Sequence, residues 1–223
     1  MNPRLARVLL VSFGLAVVVD LVSLGAGFDL GHRIAKPLLM PLLAAHAGVR
    51  GGPRLLVAAL LCGWGGDVLL LSDADPAFLV GMASFAAGHM CYLVLFRRTA
   101  RARGALLAGG YAVALVATVT LLWPDLPADL RVPVAGYSLL LTAMAYGATR
   151  LGLVTGVGGA LFMLSDTLIA TGVAEWPQLP SPDFWIMLTY AAAQYLLVRG
   201  VLGTLGARPA PAAAYGEMRS TTP

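Results

Sequence analysis

The chain has 223 residues, of which 59% are hydrophobic and only 12% charged, with a mean hydropathy of +0.82. Soluble domains carry roughly a quarter charged residues, so this composition excludes a soluble globular fold and points to an all-α polytopic membrane protein. The net charge of +4 and a pI near 9.4 do not imply nucleic acid, because the arginines flank apolar runs and do not gather in one basic domain.

Continuous apolar segments in lipid are expected to be helices, since only a helix satisfies its own backbone there. Eight are predicted, at residues 5–26, 35–48, 54–71, 77–96, 105–123, 132–149, 152–172 and 184–203. The first follows Arg4 and Arg7 and resembles a signal peptide at its start; the seven runs behind it make it a retained helix. Proline, glycine and charge mark the breaks, as in "RGGPR" at 50–54 and "EWPQLPSPD" at 175–183. Residues 1–206 thus form one eight-helix transmembrane domain, with 207–223 as a disordered cytoplasmic tail. Cys62 and Cys91 fall inside apolar runs and have no disulfide or CxxC spacing.

Eight spans with a cytoplasmic amino terminus put twelve of the fifteen Lys and Arg residues in the cytoplasm and leave only Arg33, Lys36 and Arg131 outside. The positive-inside rule therefore selects a topology with both termini cytoplasmic. The expected location is a bacterial inner membrane, crossed many times.

Two of these helices carry an aspartate in apolar sequence: Asp67 in "LLCGWGGDVLLL" and Asp166 in "GALFMLSDTLIA". Each lies about thirteen residues, ~20 Å, along an outward-running helix, so both are expected at one depth in the outer half of the bilayer. Asp20 falls nearby on the first helix. Lys36 before Pro37 reads as the first position of the second helix, where a lipid phosphate or an aspartate would partner it. That helix is expected to be short and interrupted by Pro41, a feature that often marks a binding site in membrane proteins. The pairs formed by the third and fourth and by the seventh and eighth helices resemble a weak parallel repeat, with His89 and Tyr92 following one aspartate and Tyr190 and Gln194 the other.

A charged Asp at mid-span costs ~2.5–3.5 kcal/mol on insertion scales, so each should face the bundle interior with a partner. A single one reads equally well as a structural ion pair; two at one depth, with His89 and Lys36 in reach, read as a functional site. His89 could relay a proton or orient a carboxylate, whereas His32 and His46, at helix ends, are expected to do neither. Gly63 and Gly159 lie on the aspartate faces of their helices and either allow close packing or leave a groove.

The motifs "AKPLLMPLL", "GWGGDVLLL", "FAAGHMCYL", "GALFMLSDTLIA" and "TYAAAQYLL" resemble, in that order, those of the YhhN-like lysoplasmalogenases, eight-helix membrane hydrolases. The resemblance runs from about Lys36 to Leu197. It implies a lysoplasmalogen as substrate, with membrane lipids as surroundings, and hydrolysis of its vinyl ether to a fatty aldehyde and a glycerophospho-ethanolamine or -choline, with no metal or cofactor. It places the catalytic aspartates at Asp67 and Asp166 and the lysine and histidine motifs at Lys36 and His89. Vinyl ether hydrolysis begins with protonation of the outer alkene carbon, and water then attacks an oxocarbenium ion, much as in glycoside hydrolysis. One carboxyl must deliver a proton while the other stabilises the cation, and either aspartate suits either part. Lys36 would hold the phosphate, His89 would orient or relay, and Tyr92, Tyr190, Gln194 and Asp20 would line the substrate site.

Two rivals use the same aspartates. An intramembrane aspartyl protease needs Gly-x-Gly-Asp, but Trp64 occupies the first glycine position. A proton-coupled transporter or lipid-binding protein predicts transport without covalent turnover. Oligomeric state leaves no trace in the sequence.

Overall fold

The computed structural model describes residues 2–72, 74–97 and 104–206. They form eight helices: α1 (Pro3–Gly25), α2 (Asp29–Val49), α3 (Arg54–Leu69), α4 (Asp75–Arg97), α5 (Ala105–Leu122), α6 (Arg131–Thr149), α7 (Leu153–Val173) and α8 (Pro182–Gly206). The segment 207–223, expected as a disordered tail, lies outside the described residues.

Six of the eight, all but α2 and α3, are long and apolar enough to cross a membrane, which makes this a multi-pass membrane protein. The sixteen residues of α3 rise only ~24 Å, less than the ~30 Å hydrocarbon core. α2 is long enough but polar, with Asp29, His32, Arg33, Lys36 and His46 along it. Packing by α1, α3 and α8 buries His46 and half-buries His32 and Lys36, whereas Asp29 and Arg33 are exposed near the start of the helix.

The expected start of α2 needs correction. The helix begins at Asp29, seven residues before Lys36, and runs without a break through both Pro37 and Pro41. Gly27 supplies the turn, at φ +67°, and lets the chain reverse directly from α1 into α2. Lys36 is therefore not at a helix amino terminus, and the dipole argument for an anion there does not apply. Proline inside the helix is tolerated because neighbouring helices in a membrane bundle help re-satisfy the freed backbone groups.

Neighbour contacts trace a ring, α1–α2–α3–α4–α6–α7–α8 and back to α1, with α5 outside it against α6 and α7. The interior is filled by Leu39, Met40, Leu43, Leu60, Met144 and Leu197, all fully buried. Val11, Leu15 and Val22 of α1 and Leu106, Val113 and Val116 of α5 remain exposed, as lipid-facing side chains should. Close helix approach relies on small residues. A Cβ on Gly159 would come within 2.9 Å of the Ala145 Cα, so the glycine marked as packing or groove is a packing residue that seats α7 on α6.

At the end of the bundle away from the termini, the α5–α6 and α7–α8 connections are tied together. Trp176 Nε1 donates to Asp125 Oδ2 at 2.7 Å, and Arg131 donates to the carbonyls of Leu126 and Pro124, each at 3.1 Å. A small apolar cluster of Leu122, Leu126, Val134 and Ala174 sits beneath.

Candidate active site

The ionisable residues singled out in the sequence all lie inside the bundle or against it, but in two groups. Asp67, His89, Tyr92, Gln194 and Asp20 are each 2% exposed or less, and Asp166 is 12% exposed.

The first group is a chain of hydrogen bonds across α4, α8 and α3. Tyr92 Oη donates to Gln194 Oε1 at 2.8 Å, Gln194 Nε2 donates to Tyr190 Oη at 3.4 Å, and Tyr190 Oη donates to Asp67 Oδ2 at 2.9 Å. The i, i+4 spacing on α8 brings Tyr190 and Gln194 to one face, as expected. Gly63 makes room for them, since a Cβ there would stand 3.0 Å from Tyr190 Oη and 3.3 Å from Gln194 Nε2. Lys36 and Asp20 are near enough to act electrostatically on Asp67, although Lys36 sits mid-helix. Asp20 has its own partner: His32 Nδ1 lies 2.8 Å from Asp20 Oδ1. That corrects the reading of His32 as a bystander. The earlier start of α2 places His32 inside the helix, one turn before Lys36 and facing α1.

The second group surrounds Asp166. Tyr137 Oη of α6 donates to Asp166 Oδ2, and His89 Nε2 lies 3.0 Å from Tyr137 Oη and 4.0 Å from Asp166 Oδ2. His89 Nδ1 is buried without a hydrogen-bond partner. Two proton arrangements satisfy the same heavy atoms. With Asp166 ionised and His89 an imidazolium, the phenol donates to the carboxylate and accepts from His89 Nε2–H. With Asp166 protonated and His89 neutral, its proton on Nδ1, the carboxyl donates to the phenol, which donates to His89 Nε2. Moving one proton along each bond converts one arrangement into the other, so the triad can pass a proton between an imidazolium and the carboxylate.

An aromatic wall stands between the groups. Phe162 meets His89 edge-on, with centroids 4.8 Å apart, and Tyr190 at 5.5 Å, while Phe85 packs on Phe162 at 6.4 Å and on Tyr190 at 5.9 Å. Gly66 admits Phe85, whose ring would lie 2.4 Å from any Cβ placed there. The suggested repeat is crossed in space, because Asp67 of α3 takes its partner from α8 and Asp166 of α7 lies beside His89 of α4.

A cleft with about 610 Å³ of empty space opens onto the second group alone. α4 lines it with Phe78, Met82 and Phe85, α6 with Tyr137 and Leu141, and α7 with Asp166 and Ala170. The cleft is overwhelmingly apolar, with few polar groups, as ligand sites are. Asp67 and Lys36 do not line it.

Tyr137, Phe85 and Phe162 escaped the reading of the sequence: Tyr137 lies on α6, where no partner was placed, and the two phenylalanines carry no ionisable or hydrogen-bonding group to single them out. A depth count offered a signal. Tyr137 lies six residues inside the far end of α6 and Asp166 seven inside the far end of α7, at one level on adjacent helices.

The YhhN family matches residues 31–201. Among similar proteins, a lysoplasmalogenase TMEM86B of Sus scrofa is 41% identical over 160 residues, covering 72% of this chain and 68% of that protein. The Homo sapiens TMEM86B lysoplasmalogenase is 37% identical, over 68% of this chain and 65% of its own length. A lysoplasmalogenase of Mycobacterium bovis is 34% identical over 212 residues, covering 85% of this chain and 79% of that protein. No solved structure matches.

Proposed function

The chain belongs to the YhhN family, and from that premise we propose that it is a lysoplasmalogenase: a hydrolase that cleaves the vinyl ether of a lysoplasmalogen to a fatty aldehyde and glycerophospho-ethanolamine or -choline. The relatives named above support the reaction class. The observation that carries the reading in this chain is Asp166 on the wall of an apolar cleft, with Tyr137 and His89 aligned behind it.

In this proposal the alkenyl chain lies in the cleft and Asp166 delivers a proton to the outer alkene carbon, because it is the aspartate exposed there. The carbon next to the ether oxygen becomes an oxocarbenium ion. Asp166, now ionised, takes a proton from the water that attacks this carbon. The resulting hemiacetal collapses to aldehyde and alcohol. The proton taken from water restores the acid form of Asp166; Tyr137 holds the carboxyl in line, and His89 orients Tyr137. Asp67 acts from behind Phe85 and Phe162 through its field, which favours a cation in the cleft, and Lys36 does not grip the phosphate, since it does not line the cleft. Tyr92, Gln194 and Tyr190 fix the orientation of Asp67, and Asp20 with His32 braces α1 against α2.

All eight helices cross the bilayer in this reading, with both termini cytoplasmic, in a bacterial inner membrane, and the lysolipid enters from the outer leaflet. Single cysteines introduced at Asp129 and Arg54 of a Cys62/Cys91-free variant should label from opposite sides of intact cells or inverted vesicles; labelling from one side would refute the topology. The reaction is tested by giving purified protein in nanodiscs a lysoplasmalogen and measuring released aldehyde. Aldehyde release that Asp166→Asn abolishes is the expected result, and a folded wild-type protein releasing none from either headgroup would overturn the proposal.

A further inference from the structure

The end of the bundle where α1 starts and α8 ends holds a second feature, remote from the cleft. Two adjoining open hollows share Leu10, His46 and Arg50. The first lies between α1 and α2 and is flanked by Arg7. The second reaches α8, where Tyr195, Val198, Arg199 and Leu202 complete it. Three arginines thus surround one continuous groove. Among the described residues none of the three meets a carboxylate, and no acidic side chain lines either hollow.

Two polar atoms of the groove, His46 Nε2 and the Tyr195 hydroxyl, have no hydrogen-bond partner among the described residues. His46 is buried and its Nδ1 donates to the Ala6 carbonyl at 2.8 Å, which leaves Nε2 for the groove. The positive-inside rule accounts for arginines at this end but not for their closing around a groove with unpartnered polar groups. Leu10, Val198 and Leu202 continue the groove as apolar surface toward the lipid-exposed flank of α1, where Val8 and Val11 stand exposed. Charge above and hydrocarbon below match a membrane lipid whose phosphate head is anionic overall, because an ammonium head group would find no carboxylate here.

We propose that the groove between α1, α2 and α8 is a binding site for an anionic glycerophospholipid, held at its phosphate by Arg7, Arg50 and Arg199 and at one acyl chain by Leu10, Val198 and Leu202. The site is separate from the cleft at Asp166, so it stands whether or not the proposed reaction does.

The test is native mass spectrometry of the full chain, purified in detergent and titrated with phosphatidylglycerol, phosphatidylcholine or inorganic phosphate, with thermal stability followed in parallel. One phosphatidylglycerol should be retained and raise Tm, while phosphatidylcholine and phosphate at equal concentration should do neither. Each arginine near an anionic head group contributes about fivefold, so Arg50→Gln/Arg199→Gln should weaken retention about twenty-fivefold. Arg54→Gln, at the same end but off the groove, should change nothing. Equal retention of phosphatidylcholine, an equal effect of inorganic phosphate, or undiminished retention by the double variant would each overturn the proposal. If the double variant does not fold, Arg199→Gln/Tyr195→Phe decides instead, and unchanged retention there is equally fatal.

Discussion

Replacing Tyr137 with Phe removes one oxygen from the site and little else. The ring stays against His89, 5.4 Å away between centroids, but Asp166 loses its phenol donor and His89 Nε2 its partner. A hydrogen bond to a charged group is worth ~1.5–3 kcal/mol, and the proposed mechanism uses this one when the carboxyl ionises after giving up its proton. The kcat for aldehyde release should therefore fall about tenfold to a hundredfold, with KM nearly unchanged. Because His89 Nδ1 already lacks a partner, the variant leaves both ring nitrogens unsatisfied and should cost ~1–3 kcal/mol of stability, visible as a lower Tm. Initial rates on a lysoplasmalogen, with Tm measured on the same preparation, check both parts. A folded Tyr137→Phe protein with wild-type kcat, or one altered only in KM, would reduce Tyr137 to a lining residue and refute its hold on Asp166.

Other perturbations separate the two groups. Asp166→Asn should lower kcat by at least about a hundredfold, as loss of a general acid does, whereas Asp67→Asn should cost less and leave KM unchanged; the reverse order, from the same rate assay, would reassign the acid. Ala170→Phe fills the cleft from α7 and should raise KM for long-chain substrates while leaving Tm near wild type; an unchanged KM would show that the chain lies elsewhere. Gly66→Ala drives a methyl into the Phe85 ring and should destabilise by ~1–3 kcal/mol, which a thermal melt will read. Gln194→Leu strands the buried Tyr92 hydroxyl at a cost of ~1–3 kcal/mol. A Tm equal to wild type would mean that the Tyr92–Gln194–Tyr190 chain contributes nothing.

Much of the bundle was legible in the one-dimensional pattern. The eight apolar runs coincide with eight helices to within a few residues, except at α2. There the proline rule placed a boundary at Lys36 that membrane packing does not enforce, because bonds lost at Pro37 and Pro41 are made good by the surrounding helices. The tyrosine and glutamine of α8 were placed on one face by helical period alone, and their bond follows from it.

The candidate site divides along the same line. Hydropathy alone identified a membrane protein and marked Asp67 and Asp166 as the carboxylates that need a reason to be there, since burying a lone charge in lipid is costly wherever the helix goes. Which partners each found was decided by how eight cylinders close into a ring, and that depends on small-residue contacts such as Gly159 on Ala145 that no local pattern encodes. The ring put Tyr137 of α6 against Asp166, left Asp67 behind Phe85 and Phe162, and opened the cleft to only one of the two acids. Composition and period determine which residues must be buried; only the three-dimensional order of the helices decides which of them meet.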